Sequence, residues 1–260
     1  MSHHDEGIID GPNASYRWRA LSSVSSTNAA CLTAGRKNSD TRNLWITADR
    51  QTAGKGRRGR SWESPPGNLY ASVLLVNPAL KTSSIGELPL LAAVALAEAL
   101  EFVTGTHALS SLKWPNDCLV DGAKISGILL ESELQDAGNS IVVVGFGVNC
   151  VSHPDSALYP TTDLAALGYR VDSRALFQAL AKTLDRWLGI WDRGNNFSDV
   201  RTAWISRAVG IGKPITVRLP DQEIQGRFLD LDANGYLVLE EIGGATRLIS
   251  AGDVFLSNTL

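Results

Sequence analysis

Apolar positions are spaced differently in two parts of the chain. In the first part, alternating or continuously apolar stretches predict strands, and Ala- and Leu-rich stretches at helical spacing predict helices. Asp121-Gly122 favours a type I′ hairpin between two of the strands, because glycine accepts a positive φ. This part is therefore predicted to be mixed α/β. Its strands are expected at 16–21, 44–48, 68–76, 118–120, 125–130 and 141–148, and its helices at 29–32, 88–103 and 174–191.

From about residue 212 the pattern consists of short strands alone, separated by turn residues. Closely spaced short strands are typical of a small barrel. We therefore expect a flexible N-terminus over 1–15, a main domain over 16–210 and a barrel over 211–260. The strands of the barrel are expected at 215–219, 223–229, 236–239, 246–249 and 254–255.

The composition of the chain is that of an ordinary globular protein. It has 260 residues, with 24 basic and 27 acidic side chains and a formal net charge of -3. A mildly acidic total argues against general nucleic-acid binding. The spacing of Cys31, Cys118 and Cys150 suits no zinc site, which favours reduced thiols and a cytoplasmic location. No apolar run reaches the roughly 20 residues of a membrane span, and no export signal precedes the first predicted strand.

The first candidate site is the basic loop, residues 50–62, which carries five cations and three glycines and no acidic residue. It lies within a predicted loop over 49–67, and loops of more than about 12 to 15 residues are usually functional or disordered. Glycines let the backbone present N–H groups to an anion, and Arg and Lys neutralise its charge. A solvated surface loop or a nucleic-acid patch is the alternative. A P-loop is excluded, because Gly56 follows Lys55 where Ser or Thr should bind magnesium.

The second candidate is residues 113–117 together with the hairpin that follows. Lys124 begins the second strand of that hairpin, and the period of a strand predicts that Lys124 and Ser126 share one face while Ile125 and Gly127 share the other. A glycine inside an apolar strand indicates the close approach of a ligand or of another backbone. The alternative is an exposed lysine beside a packing turn.

The third candidate is the end of the strand at 141–148. Gly145 and Gly147 again permit close approach, and Asn149 offers donors and acceptors. A fourth pattern, residues 230–235 with Glu241, matches the calcium loop of an EF-hand. It is interpreted as a hairpin turn, because an EF-hand needs helices on both sides and strands are predicted there.

The three candidates, with Ser26-Thr27-Asn28 before them and a small barrel behind, resemble the biotin protein ligases over residues 16–255. The resemblance implies an α+β fold, in which a mixed sheet with flanking helices, like that of class II aminoacyl-tRNA synthetases, precedes an SH3-like barrel. It also implies the monofunctional class, since no DNA-binding domain precedes residue 16. One departure is Lys55, where the family usually has Arg; the charge is kept but bidentate contacts are lost.

The resemblance implies that ATP and biotin are substrates, with magnesium on the phosphates, and that the partner is a biotin carboxyl carrier domain. No protein metal ligand, DNA partner or membrane is expected, and homodimerisation is left open. A lipoate ligase and a nucleic-acid-binding module are the alternatives. Catalytic roles fall on Arg57, Lys124 and Asp117, the last as a proton acceptor. Biotin contacts fall on Ser26, Thr27, Asn28, Gln51, Gly54, Arg57, Trp62, Lys124 and Gly127. ATP contacts fall on Lys55, Arg57, Arg58, Arg60, Lys113, Asn116 and Asn149.

Overall fold

A computed structural model of the chain describes residues 5–37, 43–76, 82–134, 140–155 and 159–256. The strands are β1 (Asp5–Asp10), β2 (Ser15–Leu21), β3 (Leu44–Ala48), β4 (Leu69–Val76), β5 (Ser111–Lys113), β6 (Asp117–Val120), β7 (Ala123–Leu134), β8 (Ser140–Val148), β9 (Pro214–Arg218), β10 (Glu223–Leu231), β11 (Leu237–Glu241), β12 (Thr246–Ile249) and β13 (Asp253–Leu256). The helices are α1 (Thr27–Lys37), α2 (Thr82–Ile85), α3 (Leu88–Thr104), α4 (Ser173–Trp191) and α5 (Phe197–Ile205). In these ranges, no helix is long and apolar enough to cross a membrane.

Strands β1 to β8 form one mixed sheet in the order β1-β2-β3-β4-β8-β7-β6-β5. The β2–β3 pair is parallel and the other pairs are antiparallel. Helix α1 covers one face, where Cys31 packs with Ile46 and Val143. Helices α3 and α4 belong to the main core with Trp45 and Phe146. The predicted mixed sheet with flanking helices is confirmed.

The N-terminal segment differs from the expectation of flexibility over 1–15. Residues 5–10 form β1, which pairs with β2, and residues 1–4 lie outside the described residues. The contact that holds this segment comes from α4. The backbone N–H of Asn13 donates to Asp185 Oδ2 (2.5 Å), and the Tyr16 hydroxyl donates to Asp185 Oδ1 (2.8 Å). A partner about 170 residues away leaves no trace in a local pattern.

The hairpin between β6 and β7 forms as predicted, since Asp121 and Gly122 both have positive φ (50° and 77°). Its register, however, shifts between Cys118 and Leu119, which pair with Ser126 and Lys124. The extra residue on β7 is a β-bulge, which reverses the alternation of faces. A Cβ on Gly127 would lie 3.3 Å from Lys124 Nζ. The prediction that Lys124 shares a face with Ser126, opposite Gly127, is therefore wrong.

Strands β9 to β13 form a second, antiparallel sheet in the order β12-β11-β10-β9-β13. These pairings leave β12 and β13 as edges, so the described residues show an antiparallel sheet and do not confirm the expected barrel. The EF-hand-like segment is the β10–β11 hairpin, in which Asp232 Oδ1 accepts from the N–H groups of Asn234 and Tyr236 (both 2.8 Å).

The second sheet contacts the main domain behind residues 113–117. Trp114 Nε1 donates to Gly235 O (3.1 Å), and Arg201 Nε donates to Leu231 O (2.8 Å). Gly235 has a φ of 80°, and a Cβ there would lie 2.6 Å from Leu90. The β10–β11 hairpin therefore packs directly against the main domain next to residues 113–117, the second candidate site.

Candidate active site

The basic loop folds back on itself as a narrow hairpin. The N–H of Gly56 donates to Arg60 O (2.7 Å), and the N–H of Trp62 donates to Gly54 O (2.9 Å). At the tip, Arg58 adopts the left-handed conformation with a φ of 56°. The hairpin gathers four of the loop's five cations, Lys55, Arg57, Arg58 and Arg60, within one short turn, where a nearby anion would reduce their mutual repulsion.

That anion is Asp253, the first residue of β13. Its carboxylate lies 2.9 Å from Arg60 Nη2, 3.5 Å from Arg58 Nη1 and 3.7 Å from Arg57 Nη1. The side chain of Asp253 is only 16% exposed, so these interactions are less screened by solvent than a surface ion pair. The second sheet therefore contributes a wall of the site and holds the basic loop.

Arg57 lies where the basic loop, the main domain and the second sheet meet. Its Nη1 donates to Asn116 Oδ1 (3.2 Å) and to Gly252 O (3.1 Å). Burial lowers the pKa of Arg57, and the negative charges of Asp253 and Asp117 oppose that effect without cancelling it. The guanidinium remains charged at neutral pH, because the pKa of arginine starts far above it.

Asp117, the residue after Asn116, lies between two lysines. Its Oδ1 is 2.6 Å from Lys124 Nζ, and its Oδ2 is 3.1 Å from Lys113 Nζ. Burial alone would raise the pKa of Asp117, but the charges of Lys124 and Lys113 outweigh it and lower the pKa. An ionised carboxylate with both oxygens in ion pairs is a poor proton acceptor.

Tyr159 covers these two lysines. Lys124 Nζ donates to the Tyr159 hydroxyl (3.3 Å), and both ammonium groups lie 5.1 Å from the centre of its ring. An aromatic face attracts a cation at this distance. Because an ammonium has three N–H groups, Lys124 keeps one for a ligand after binding Asp117 and Tyr159.

A polar cluster of Ser26, Thr27, Asn28 and Gln51 forms another part of the cavity. Gln51 Oε1 accepts from the backbone N–H of Thr27 (2.9 Å), and Gln51 Nε2 donates to Ser64 Oγ (3.0 Å). The first bond fixes which end of the Gln51 amide faces Thr27. The cluster thus offers oriented amide and hydroxyl groups, which suit an uncharged polar ligand.

Trp62 packs closely against the sheet at two glycines. A Cβ on Gly147 would lie 2.5 Å from Trp62 Cε2, and a Cβ on Gly127 would lie 3.1 Å from Trp62 Cζ3. The indole Nε1 is buried without a hydrogen-bond partner. The close approach expected at these glycines is thus made by the indole, which forms an apolar wall.

One cavity brings together most of the predicted site residues. The same cavity is lined by Tyr159 and Asp253, which the sequence analysis did not identify. Gly54, Arg58 and Asn149 are not among its lining residues: a Cβ on Gly54 would lie 2.5 Å from Trp62 O, Arg58 Nη2 donates to Arg218 O (3.0 Å), and Asn149 Nδ2 donates to Thr162 O (3.0 Å). The predicted residues that line the cavity are Ser26, Thr27, Asn28, Gln51, Lys55, Arg57, Arg60, Trp62, Lys113, Asn116, Asp117, Lys124 and Gly127.

The mixed-sheet domain thus has one cavity in which a polar cluster adjoins five cations, an arrangement that suits a ligand with an anionic part and an uncharged polar part. Residues 20–149 match the biotin/lipoate A/B protein ligase family, and residues 210–257 match the biotin protein ligase C terminal domain. The chain belongs to this family, and within it to the biotin protein ligases.

Individual relatives agree with this placement. The chain is 36% identical over 241 residues to a biotin–(acetyl-CoA-carboxylase) ligase of Paracoccus denitrificans, covering 90% of this chain and 98% of that protein. It is 32% identical over 244 residues to the ligase of the same description from Mycobacterium tuberculosis, covering 91% and 89%. The biotin protein ligase from Aquifex aeolicus in complex with biotin and ATP has a similar structure, with a TM-score of 0.77, 28% identity and coverage of 92% and 97%.

Proposed function

We propose that this chain attaches biotin to a lysine of a carboxyl carrier domain in two steps. The biotin carboxylate attacks the α-phosphate of ATP, which forms biotinyl-5′-AMP and releases pyrophosphate. The carrier lysine then attacks the carboxyl carbon, and AMP leaves. The observation that carries the proposal is the joining of a polar cluster with a cationic cluster in one cavity, in a chain whose relatives are biotin ligases. The same relatives disfavour lipoate as the substrate.

The first step brings two anions together, and the cations of the cavity reduce the cost. Two unit charges 4 Å apart repel by about 4 kcal/mol at an effective dielectric constant of 20. Lys124 and Arg57 are assigned to the carboxylate and the new anhydride, and Lys55, Arg60 and Lys113 to the phosphates. Such preorganised charges stabilise a transition state without reorganising. Arg58 is assigned to holding the loop, since its contacts lie on the second sheet.

Asp117 is better suited to positioning than to proton transfer. Its lowered pKa and its two ion pairs disfavour the role of base for the carrier lysine. We assign it the task of holding Lys113 and Lys124 at a fixed separation. Asn116 orients Arg57, and Asn149 supports the segment that carries Thr162 and, three residues before it, Tyr159.

Magnesium is proposed to enter with the triphosphate, where it would neutralise phosphate charge. The two carboxylates of the cavity, Asp117 and Asp253, are already paired with cations, so phosphate oxygens would supply most of its ligands. We also propose that the second sheet completes an SH3-like barrel, that DNA is not a partner, and that the protein acts in the cytoplasm. The three buried free thiols at Cys31, Cys118 and Cys150 fit a reducing compartment.

Exchange of labelled pyrophosphate into ATP tests the proposed first step. We expect exchange with biotin and only background without it, because adenylate formation needs the carboxylate as nucleophile. Lipoate in place of biotin measures the alternative substrate. Exchange that depends on lipoate and not on biotin would favour a lipoate ligase, whereas no exchange and salt-sensitive nucleic-acid binding would favour a binding module.

The basic loop should depend on both Asp253 and the substrates for its order. We expect Asp253→Ala to speed amide hydrogen exchange at residues 53–61 of the free protein, because three arginines lose their shared carboxylate. Biotin with ATP should slow exchange there in the unaltered protein and in the variant. Glu63→Ala is the control, because it removes an exposed carboxylate just after the basic loop. This variant should exchange like the unaltered protein. Equal exchange in all samples would contradict this account of the loop.

A further inference from the structure

Glu131 lies on β7, on the face covered by α1, and it contacts the polar cluster. Asn28 Nδ2 donates to Glu131 Oε2 (2.8 Å) and to Leu129 O (3.2 Å). Asn28 is only 3% exposed, so its amide group has little access to water. Both partners are oxygen atoms that accept, and therefore Glu131 and Leu129 O together hold the NH2 end of Asn28 toward β7.

The orientation of Asn28 determines the direction of the next hydrogen bond. With its NH2 group toward Glu131, Asn28 presents Oδ1 to Ser72 Oγ at 2.6 Å. Ser72 Oγ also lies 2.7 Å from Thr27 Oγ1, and Ser72 is fully buried. A hydroxyl has one hydrogen and an amide oxygen only accepts, so Ser72 donates to Asn28. The single hydrogen of Ser72 is then not available to Thr27.

The hydroxyl of Thr27 presents an acceptor to the cavity. The Thr27 hydroxyl also lies 3.2 Å from Gln51 Oε1, which is an amide oxygen and only accepts; the bond from the Thr27 N–H keeps that oxygen on this side. The Thr27 hydroxyl hydrogen is thus used on the protein side. Its oxygen lone pairs remain for a ligand, so Thr27 accepts from a ligand N–H group, while Gln51 can donate through Nε2 to a ligand carbonyl.

We propose that Glu131 is a positioning residue that sets the polarity of the biotin-recognition cluster. It acts through Asn28, Ser72 and Thr27, so that the cluster presents an acceptor and a donor to the N–H and C=O of a cyclic urea. This inference rests on the proposed function, because the cyclic urea in question is the ureido ring of biotin. Gly145 supports it, since a Cβ there would lie 2.0 Å from Asn28 Oδ1 and would displace the amide.

Glu133 provides a matched control on the same strand face. It binds Arg36 of α1, so its removal breaks another link between β7 and α1 without touching the hydrogen-bond chain. We expect Glu131→Ala to raise the KM for biotin in pyrophosphate exchange about tenfold, the factor for losing a hydrogen bond to a charged group. The KM for ATP should change less than about twofold. Glu133→Ala should leave both constants unchanged.

A rescue experiment separates polarity from simple packing. Asn28→Asp places two carboxylates at a hydrogen-bond distance and should raise the KM for biotin at least as much as Glu131→Ala. Adding Glu131→Gln to Asn28→Asp returns one donor to the new carboxylate, whose second oxygen still accepts from Ser72, and should restore part of the affinity. The bond to Leu129 O stays lost in both variants. A double variant no better than Asn28→Asp, or a Glu133→Ala effect equal to that of Glu131→Ala, would overturn the proposal.

A ligand-free measurement keeps the two proposals apart. The side-chain NH2 signals of Asn28 in nuclear magnetic resonance spectra should exchange slowly with water in the unaltered protein and at least tenfold faster in Glu131→Ala, with thermal unfolding used to confirm the fold. Unchanged exchange would overturn the role of Glu131 even if the enzyme is active. Slow exchange without any biotin-dependent pyrophosphate exchange would keep the orientation of Asn28 and overturn the ureido assignment.

Discussion

Lys124→Ala is expected to slow formation of biotinyl-AMP by about 10² to 10³, the loss seen when one preorganised charge stabiliser is removed. Lys124 is 9% exposed and keeps one N–H for a ligand, beside the wall formed by Trp62 (5.5 Å from Nζ to the ring centre). In that position its charge can follow the carboxylate as it becomes an acyl phosphate. A lysine on a strand surface would have no such effect.

Single-turnover measurement of adenylate, with saturating ATP and biotin, gives the rate directly. Lys182→Ala removes an exposed lysine from α4 and should keep the rate of the unaltered protein. Because Lys124→Ala leaves Asp117 paired only with Lys113, it can also lower stability. Lys124→Gln retains the stem and a donor and should fold while still losing most of the rate. An unaltered rate in a folded Lys124→Gln protein would show that the charge of Lys124 is structural.

Arg57→Gly is expected to release the adenylate instead of abolishing it. Arg57 joins the basic loop to Asn116 and to the backbone of Gly252, so its removal weakens the closure of the cavity. A mixed anhydride must be kept from water and from stray amines until the carrier lysine arrives. We therefore expect exposed lysines of serum albumin to be biotinylated by the variant in the presence of ATP and biotin, without any carrier domain.

Arg58→Gly is the matched control for this experiment. It introduces a glycine into the same hairpin, at a position whose φ of 56° already suits glycine. Arg58, unlike Arg57, does not line the cavity, and its side chain binds Arg218 O and Asp253. Albumin labelling should rise much more in Arg57→Gly than in Arg58→Gly. Equal labelling by both variants would show that the stiffness of the loop, and not the Arg57 side chain, retains the adenylate. If Arg57→Gly forms adenylate without labelling albumin, Arg57 does not retain it.

Local patterns were sufficient for most of the main domain. The strand at 44–48 has the predicted bounds, and the helices predicted at 88–103 and 174–191 gain only one residue each. In the second sheet, the strand at 246–249 also has the predicted bounds. Strand and helix periods depend on near neighbours, so a single sequence displays them. The basic loop was also recognisable, because clustered cations and glycines have few structural uses. Residues 113–117 have one cation and no glycine, and they were recognisable only together with that loop.

Contacts between distant segments were not recognisable. Asp253 is a single acidic residue near the end of the chain, and nothing around it indicates that it meets Arg60, 193 positions earlier. Tyr159 is one aromatic residue in a loop, which the pattern cannot connect to Lys124. The bulge that turns Lys124 toward Gly127 depends on the register of β6 against β7, which a strand's own alternation does not encode.

The cations around Asp253 and Asp117 outnumber the carboxylates with which they pair. Three guanidinium groups face one carboxylate, which leaves a formal excess of two positive charges, and the two lysines around Asp117 leave one more. Asp253 therefore holds the basic loop in place but neutralises only part of its positive charge. The negative charge of an arriving nucleotide would balance these cations. Pyrophosphate carries much of that negative charge, so its departure is opposed by the same cations. Rising ionic strength screens this attraction and should therefore speed product release.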